Sequence, residues 1–325
     1  MNRARQGHKI VMANRNRQKS ELLAQEIAAE TGNSDIAVMD LDLSSLASVR
    51  RCAEEFKATN DRLDILLNNA GMNAPEQVIT EDGYESQFEV NNLAQLLFTV
   101  ELLPALEAAA PAHVIFVTSM MHKFGKLDFD SFKGGKKYSA NAAYAQSKLA
   151  MQLNAMELAD RLRERDIAVN TLHPGAVSTG ILDGYSPLQQ TFLRLFFTTP
   201  EKGARTSMHV AALEGSDRPT GTYFSSSKPA KPGKQVANQA LREKIWNLSC
   251  EYCGLSPELE APRCPSKRDI IICKIARAGE GWLSRRDSTI SARGYYFPAL
   301  QVIEIPAIVF AASNIEAHCH VLPRL

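Results

Sequence analysis

Short apolar runs alternating with stretches of helical length constrain the fold of this chain more than any other feature. Lys9 to Ala13, Ile36 to Met39, Leu63 to Leu67, Val114 to Val117 and Ile167 to Thr171 each read as a strand, and Thr222-Tyr223-Phe224 as a short further one. These runs are apolar on consecutive residues, so a sheet built from them is expected to be covered on both faces. Ser20 is placed to cap a helix that Gly32 stops, and Ser44 or Ser45 to cap a second one reaching about Asn60. A long helical region covers roughly Tyr84 to Ala109, and another carries Tyr144 and ends near Arg165. Strands linked by helices pair in parallel, which gives an α/β, doubly wound parallel sheet. Ligands of such sheets sit beyond the carboxyl ends of the strands. Polar residues gather at those ends: Arg15, Asn68 to Gly71, Ser119, and His173-Pro174-Gly175.

Within that frame Tyr144-Ala145-Gln146-Ser147-Lys148 stands out. Positions i and i+4 share one helix face. A lysine ammonium near a phenol favours the phenolate, which equips the pair for proton exchange with an alcohol or carbonyl. Tyr138 competes poorly, because its i+4 neighbour is Ala142. His122 and His173 read as hydrogen-bonding structural residues. Arg15 and Arg17 have a competing reading as solvated turn residues, and Ser225 to Lys234 reads as a mobile surface loop.

Composition excludes several other classes. A net charge of +1 gives no nucleic-acid footprint. Met1 to Gly7 has no apolar core for a signal peptide, and the nearest approach to a membrane span, Ala299 to Ala312, is short and carries Glu304 and Pro306. The expected location is the cytoplasm, with membrane association if a segment ahead of Met1 carries an anchor. Of six cysteines, Cys250 and Cys253 have C-x-x-C spacing, but no second tight pair completes a zinc pattern, so no metal is expected.

With these motifs in order, the sequence resembles the short-chain dehydrogenase/reductase family, in its retinol dehydrogenase-like and protochlorophyllide reductase-like branch. The motifs are Asn68-Asn69-Ala70-Gly71, Asn91 in Val90-Asn91-Asn92-Leu93, Ser119 in Val117-Thr118-Ser119, Tyr144 with Lys148, and Pro174-Gly175 with Thr179. The resemblance implies a Rossmann-like fold over residues 1–255 and hydride transfer between a nicotinamide cofactor and an alcohol or carbonyl. It assigns Tyr144 to proton exchange and Ser119 to polarising the substrate oxygen. Lys148 would hold the nicotinamide ribose, and Asn91 a water linking Lys148 to solvent. Asn69, Ala70, Gly71, Pro174, Gly175 and Thr179 would line the cofactor, and Asp42-Leu43 would contact its adenine. No carboxylate follows Ala13, whereas Arg15 can grip a 2′-phosphate, so NADP is favoured over NAD.

Two departures qualify the resemblance. The family's first strand and glycine-rich turn, whose backbone N–H groups hold the pyrophosphate, have no counterpart here. Arg3 to Gly7 resembles the end of the helix that follows that turn. The strand is central in the family's sheet, so its loss should leave unpaired edges and weak cofactor binding or none. The second departure is residues 256–325, an irregular tail without family motifs, expected to be a disordered extension or the product of a frame error. Against that, Ala307 to Ala312 is apolar, of strand length, and able to fill the vacant slot, although no glycine-rich turn follows it.

Apolar residues between Ile181 and Thr199, among them Leu188, Phe192 and Phe197, point to a lipophilic alcohol or carbonyl substrate and to peripheral membrane contact. The resemblance also implies a homodimer through the helices around Asn91 and Tyr144. The alternative function is a non-catalytic fragment or binding scaffold that has lost its cofactor.

Overall fold

The computed structural model of the chain describes residues 2–175, 200–213, 218–259 and 307–311. The strands are β1 (Lys9–Asn14), β2 (Ile36–Asp40), β3 (Ile65–Asn68), β4 (Ala112–Val117), β5 (Ile167–His173), β6 (Tyr223–Ser225), β7 (Lys228–Pro229) and β8 (Ala307–Ala311). They form one eight-stranded sheet in the order β2-β1-β8-β3-β4-β5-β6-β7, parallel except for β7.

The slot expected to stand open is therefore filled. β8 lies parallel to β1 on one side, with Lys9 opposite Ala307 and Ala13 opposite Ala311, and parallel to β3 on the other, with Ile65 opposite Ile308 and Asn68 opposite Ala311. This is the alternative that the sequence offered for Ala307 to Ala312. The five residues from Ala307 to Ala311 belong to the same unit as Met1–Leu259. The physical reason is the one that makes the open slot costly: two buried strand edges without partners would leave their amides and carbonyls unsatisfied.

Both sheet faces are covered because alternate strand residues point to opposite sides. Val11, Leu66, Val114, Phe116 and Val169 enter one core with helices α3 (Leu46–Thr59), α5 (Ala94–Glu101) and α7 (Ala140–Arg161). On the opposite face Ile115, Val117 and Leu172 meet Val210 of α8 (Pro200–Ala211), and Ile10 and Met12 meet Ala4 of α1 (Asn2–Arg5) and Ile27 of α2 (Arg17–Thr31). Helix α9 (Gln239–Cys253) then packs over α7 and α5. Its Trp246 is fully buried under Arg161 and donates to the Pro257 carbonyl, and its Ser249 accepts from Asn154 at 2.8 Å. Every residue from Ala145 to Ala159 is buried as a result.

Several boundaries differ from the sequence expectation. Helix α2 begins at Arg17 rather than near Ser20, because Asn16 accepts from the Lys19 amide and so takes the cap. Ser20 sits one turn inside, donating to the Asn16 carbonyl. The expected long helix from Tyr84 to Ala109 is split into α4 (Ser86–Phe88), a π-helical turn over Glu89–Leu93, α5, and α6 (Leu103–Ala109). The stretch Ser225 to Lys234, read as a mobile loop, holds the β6–β7 hairpin, turned by Ser226 and Ser227 at positive φ.

Candidate active site

Four elements converge at the carboxyl edge of the sheet. The end of β4 leads into Thr118 and Ser119; helix α7 supplies Tyr144 and Lys148; the π-helical turn supplies Asn91; and the turn after β3 supplies Asn69, Ala70 and Gly71. Ser119 adopts an extended backbone and caps the 3-10 turn Met120–Lys123, accepting from the Met121 amide at 3.3 Å. Its hydroxyl also lies close enough to the Tyr144 phenol to favour the ionised form of that phenol. Gly125 lets this segment lie flat on α7: a Cβ there would overlap the Ala145 carbonyl.

Lys148 is buried, and its Nζ donates to the Val117 carbonyl at 3.0 Å. Burial brings its pKa down to about 7. Burial also raises the Tyr144 phenol, with the nearby Ser119 hydroxyl pulling the other way. The phenol is thus set mainly by its own desolvation rather than lowered by the lysine as the i+4 spacing suggests, since the amine points to Val117. Gly71 completes the cradle. A Cβ at that position would stand 3.1 Å from Lys148 Nζ and 3.3 Å from Asn91 Oδ1, so only glycine leaves the amine undisturbed.

Asn91 is fully buried and tied down on both sides. Its Oδ1 accepts from the Met72 amide at 2.8 Å, and its Nδ2 donates to the Met72 carbonyl and the Ser147 hydroxyl, each at 2.9 Å. It therefore pins the Asn69-Ala70-Gly71 turn to the Tyr144 helix. One lone pair of Oδ1 is left for the water that the resemblance implies. The π-helical turn is what aims this side chain inward, a use often found at functional sites.

The cofactor-side residues are placed as follows. Asn69 is half-buried and Ala70 buried, with the Ala70 carbonyl accepting from Gln95. Arg15 is exposed just beyond β1 and has no ion pair or hydrogen bond among the described residues. Arg17 is committed to Asp40 and Glu21, each at 2.9 Å. Asp42 spends one oxygen on the Ser44 amide and hydroxyl, and Leu43 is buried. Pro174 and Gly175 follow β5 at the same edge, whereas Thr179 and the substrate-side stretch from Ile181 to Thr199 lie outside the described residues. Tyr138 accepts from Gln87 at 2.6 Å and donates to the Ala74 carbonyl at 2.8 Å, which makes it an anchor for the loop ahead of α7.

His122 is a hydrogen-bonding structural residue, as the sequence reading had it, but its partners were not legible. Its Nδ1 lies 2.6 Å from the Ser119 carbonyl and its Nε2 accepts from the Gly233 amide at 3.1 Å. That pairing requires the neutral ring with its proton on Nδ1, and burial lowers its pKa accordingly. His122 thus brackets the Ser119 turn to the segment after β7; its i+3 spacing from Ser119 was the only local hint. Cys250 and Cys253 are packed thiols of α9, Cys253 donating to the Leu93 carbonyl and Cys250 pushed up to about 12 by burial. Among the described residues no three His, Cys, Asp or Glu side chains gather as a metal site, and no helix is long and apolar enough to cross a membrane.

Comparison with known proteins shows the family and the fold. A short chain dehydrogenase family model matches residues 1–189. Retinol dehydrogenase 11 of Mus musculus is 37% identical over 255 residues, covering 78% of this chain and 80% of that protein. Retinol dehydrogenase 12 of the same organism is 39% identical over 258 residues, covering 78% and 81%. Among solved structures, an uncharacterised protein from Mycobacterium paratuberculosis superposes with a TM-score of 0.63 at 28% identity, covering 78% of this chain and 87% of its own. An NADP active-site complex of Pseudomonas aeruginosa RhlG has the same fold, with a TM-score of 0.54 at 24% identity over 67% of this chain and 84% of that one. The chain belongs to the short-chain dehydrogenase/reductase family, and with it to the oxidoreductases that use NAD(P).

Proposed function

We propose that this chain interconverts a lipophilic alcohol and its carbonyl with NADP, using Tyr144, Ser119, Lys148 and Asn91. One observation carries the reading: Lys148 lies buried beneath the Gly71 turn beside Asn91, on the helix that carries Tyr144, with the Ser119 hydroxyl near enough to act on the phenol. The nicotinamide, when bound, supplies or accepts the hydride. Toward a carbonyl, Ser119 and Tyr144 both direct hydroxyl groups at the oxygen, and Tyr144 gives up its proton as negative charge develops there. A charged Lys148 then favours the phenolate left behind. Pro174 and Gly175 would flank the nicotinamide, and Thr179 with them. Arg15 would take the 2′-phosphate, and Asp42-Leu43 the adenine.

The described residues suit the two ends of such a cofactor unequally well with its middle. The nicotinamide-ribose end has Lys148 and an open glycine, and the adenosine end has a free arginine. No glycine-rich turn for the pyrophosphate occurs among the described residues, and the sequence after β8, Ala312-Ser313-Asn314, has none. That observation favours the second reading, a binding scaffold without catalysis. Lipophilic substrates, and contact with a membrane surface, are supported by Met120 and Phe124. They flank the Ser119 turn and are 48% and 67% exposed, and the two curated relatives above are named for retinol. A homodimer through the helices around Asn91 and Tyr144 would form beside α9, which packs over α7 and α5.

Titration with NADPH and NADH separates the readings. Catalysis predicts saturable binding with NADPH preferred, and Arg15→Ala should weaken NADPH by roughly tenfold or more while leaving NADH unchanged. Absence of binding at millimolar NADPH would reject the enzyme reading in favour of the scaffold.

A further inference from the structure

We propose that the slot between β1 and β3 is a strand-receiving site, that Ala307–Ala311 of the same chain is its occupant, and that filling it sets the spacing of the two cofactor-contacting turns. This rests, for its last part, on the nicotinamide reading above.

Consider first how the occupant arrives. Each other parallel neighbour pair flanking this site joins β1 to β2 or β3 to β4 through elements that follow directly in the chain. β8 instead comes in from beyond residue 259, after α9 has closed over α7. It is a separate segment added to a sheet that the first 259 residues leave divided. A strand belonging to the same chain as its sheet meets its slot intramolecularly, so it needs less intrinsic affinity than a separate peptide would. The segment suits a slot buried on both faces: Ala-Ile-Val-Phe-Ala has no charge and no proline, and Pro306, which cannot donate to a ladder, marks its boundary.

Now consider what the occupant organises. Ala311 is paired with Ala13 on one side and Asn68 on the other. Arg15 follows two residues after Ala13, and Asn69-Ala70-Gly71 directly follows Asn68. Strands of a sheet stand about 4.8 Å apart, so two ladder steps hold these turns at a fixed separation. Without β8 nothing hydrogen-bonds β1 to β3, and the turn proposed for the 2′-phosphate is no longer aligned with the turn beside Lys148. Strand insertion and NADPH binding must then strengthen each other by the same factor.

Hydrogen exchange on the full-length chain tests the strand itself. The amides of Ile308 to Ala311 should be protected as well as those of Val11 and Leu66, and exchange there at free-chain rates would overturn the proposal. Val309→Pro removes an amide the central strand needs, so exchange should spread to Ile10–Ala13 and NADPH should bind at least about tenfold more weakly. A synthetic peptide of residues 305–313 at millimolar concentration should restore protection and affinity together. Unchanged protection of β1 in V309P defeats the strand-receiving site. Protection that falls and recovers while NADPH affinity stays constant defeats the coupling alone, and no NADPH binding by the unaltered chain defeats the nicotinamide reading while leaving the strand result intact.

Discussion

Tyr144 and Lys148 sit one helical turn apart, and burial moves them in opposite directions: the phenol holds its proton more tightly and the amine less tightly. The phenol is thereby kept protonated until a developing alkoxide demands the proton. Tyr144→Phe keeps the ring and the packing but removes that proton, so turnover should fall by roughly two to four orders of magnitude while NADPH affinity, read by fluorescence, is retained. Two residues from Asn91, Glu89 is a residue the activity does not use. It is fully buried in the π-helical turn and paired with Thr80, and burial raises its carboxyl to about 8. A carboxyl raised in this way keeps its proton in the folded chain while the unfolded chain releases it above about 4.5. Stability is therefore lost as pH rises from about 4.5 to 8. Glu89→Gln should stabilise the protein at pH 8 by at least about 1 kcal/mol and change little at pH 4, as chemical denaturation at the two pH values will show. The resemblance pointed to Asn91 but gave no warning of Glu89, because a side chain's burial depends on which elements close over it.

At the scale of elements, the Ser119 turn is held by three contacts from different parts of the chain: the Met121 amide, His122 reaching Gly233, and Gly125 lying on α7. Gly125→Ala would drive a methyl group into the Ala145 carbonyl and lift the turn away from Tyr144. Turnover should drop at least about tenfold with less effect on NADPH binding, since a displacement of about 1 Å at a reacting group costs that much or more; steady-state kinetics beside a binding titration checks it. The strands were legible because runs such as Val114 to Val117 are apolar on every residue, and Gly32 and Ser45 were legible as caps. Asn16 was not, since Ser20 offers the same chemistry four residues on and only the chain's exit from β1 decides between them. The break at Glu89 left no trace in the helical periodicity, and the Lys148–Val117 bond joins residues whose proximity is a property of the packed sheet.

Across the whole molecule, buried neutral histidines give the fold an acid limit. His113, whose Nε2 accepts from Asn170 at 2.9 Å, is lowered to about 3, and His173 at the end of β5 to about 4. Unfolded histidine takes up a proton near 6.5, so below that pH the unfolded chain gains protons that the folded one refuses. Stability contributed by the neutral rings is present above about 6.5 and is lost as pH falls toward 4. His173→Asn should make the decline in melting temperature over that interval shallower by about one proton's worth of slope, measurable by calorimetry. The α/β class and the edge bearing the site could be read from alternating runs and strand-end polar residues. The vacant slot and a run able to fill it, Ala307 to Ala312, could be read as one alternative, but the pairing itself could not be decided, because parallel pairing across so long a connection has no local cause. That strand also fixes an order of events during synthesis. β1 and β3 leave the ribosome early, but the element that joins them is made some 240 residues after Asn68, roughly 12 to 48 s later at ordinary elongation rates. For that interval the nascent chain carries two open strand edges, each exposed to mispairing until the strand between them arrives.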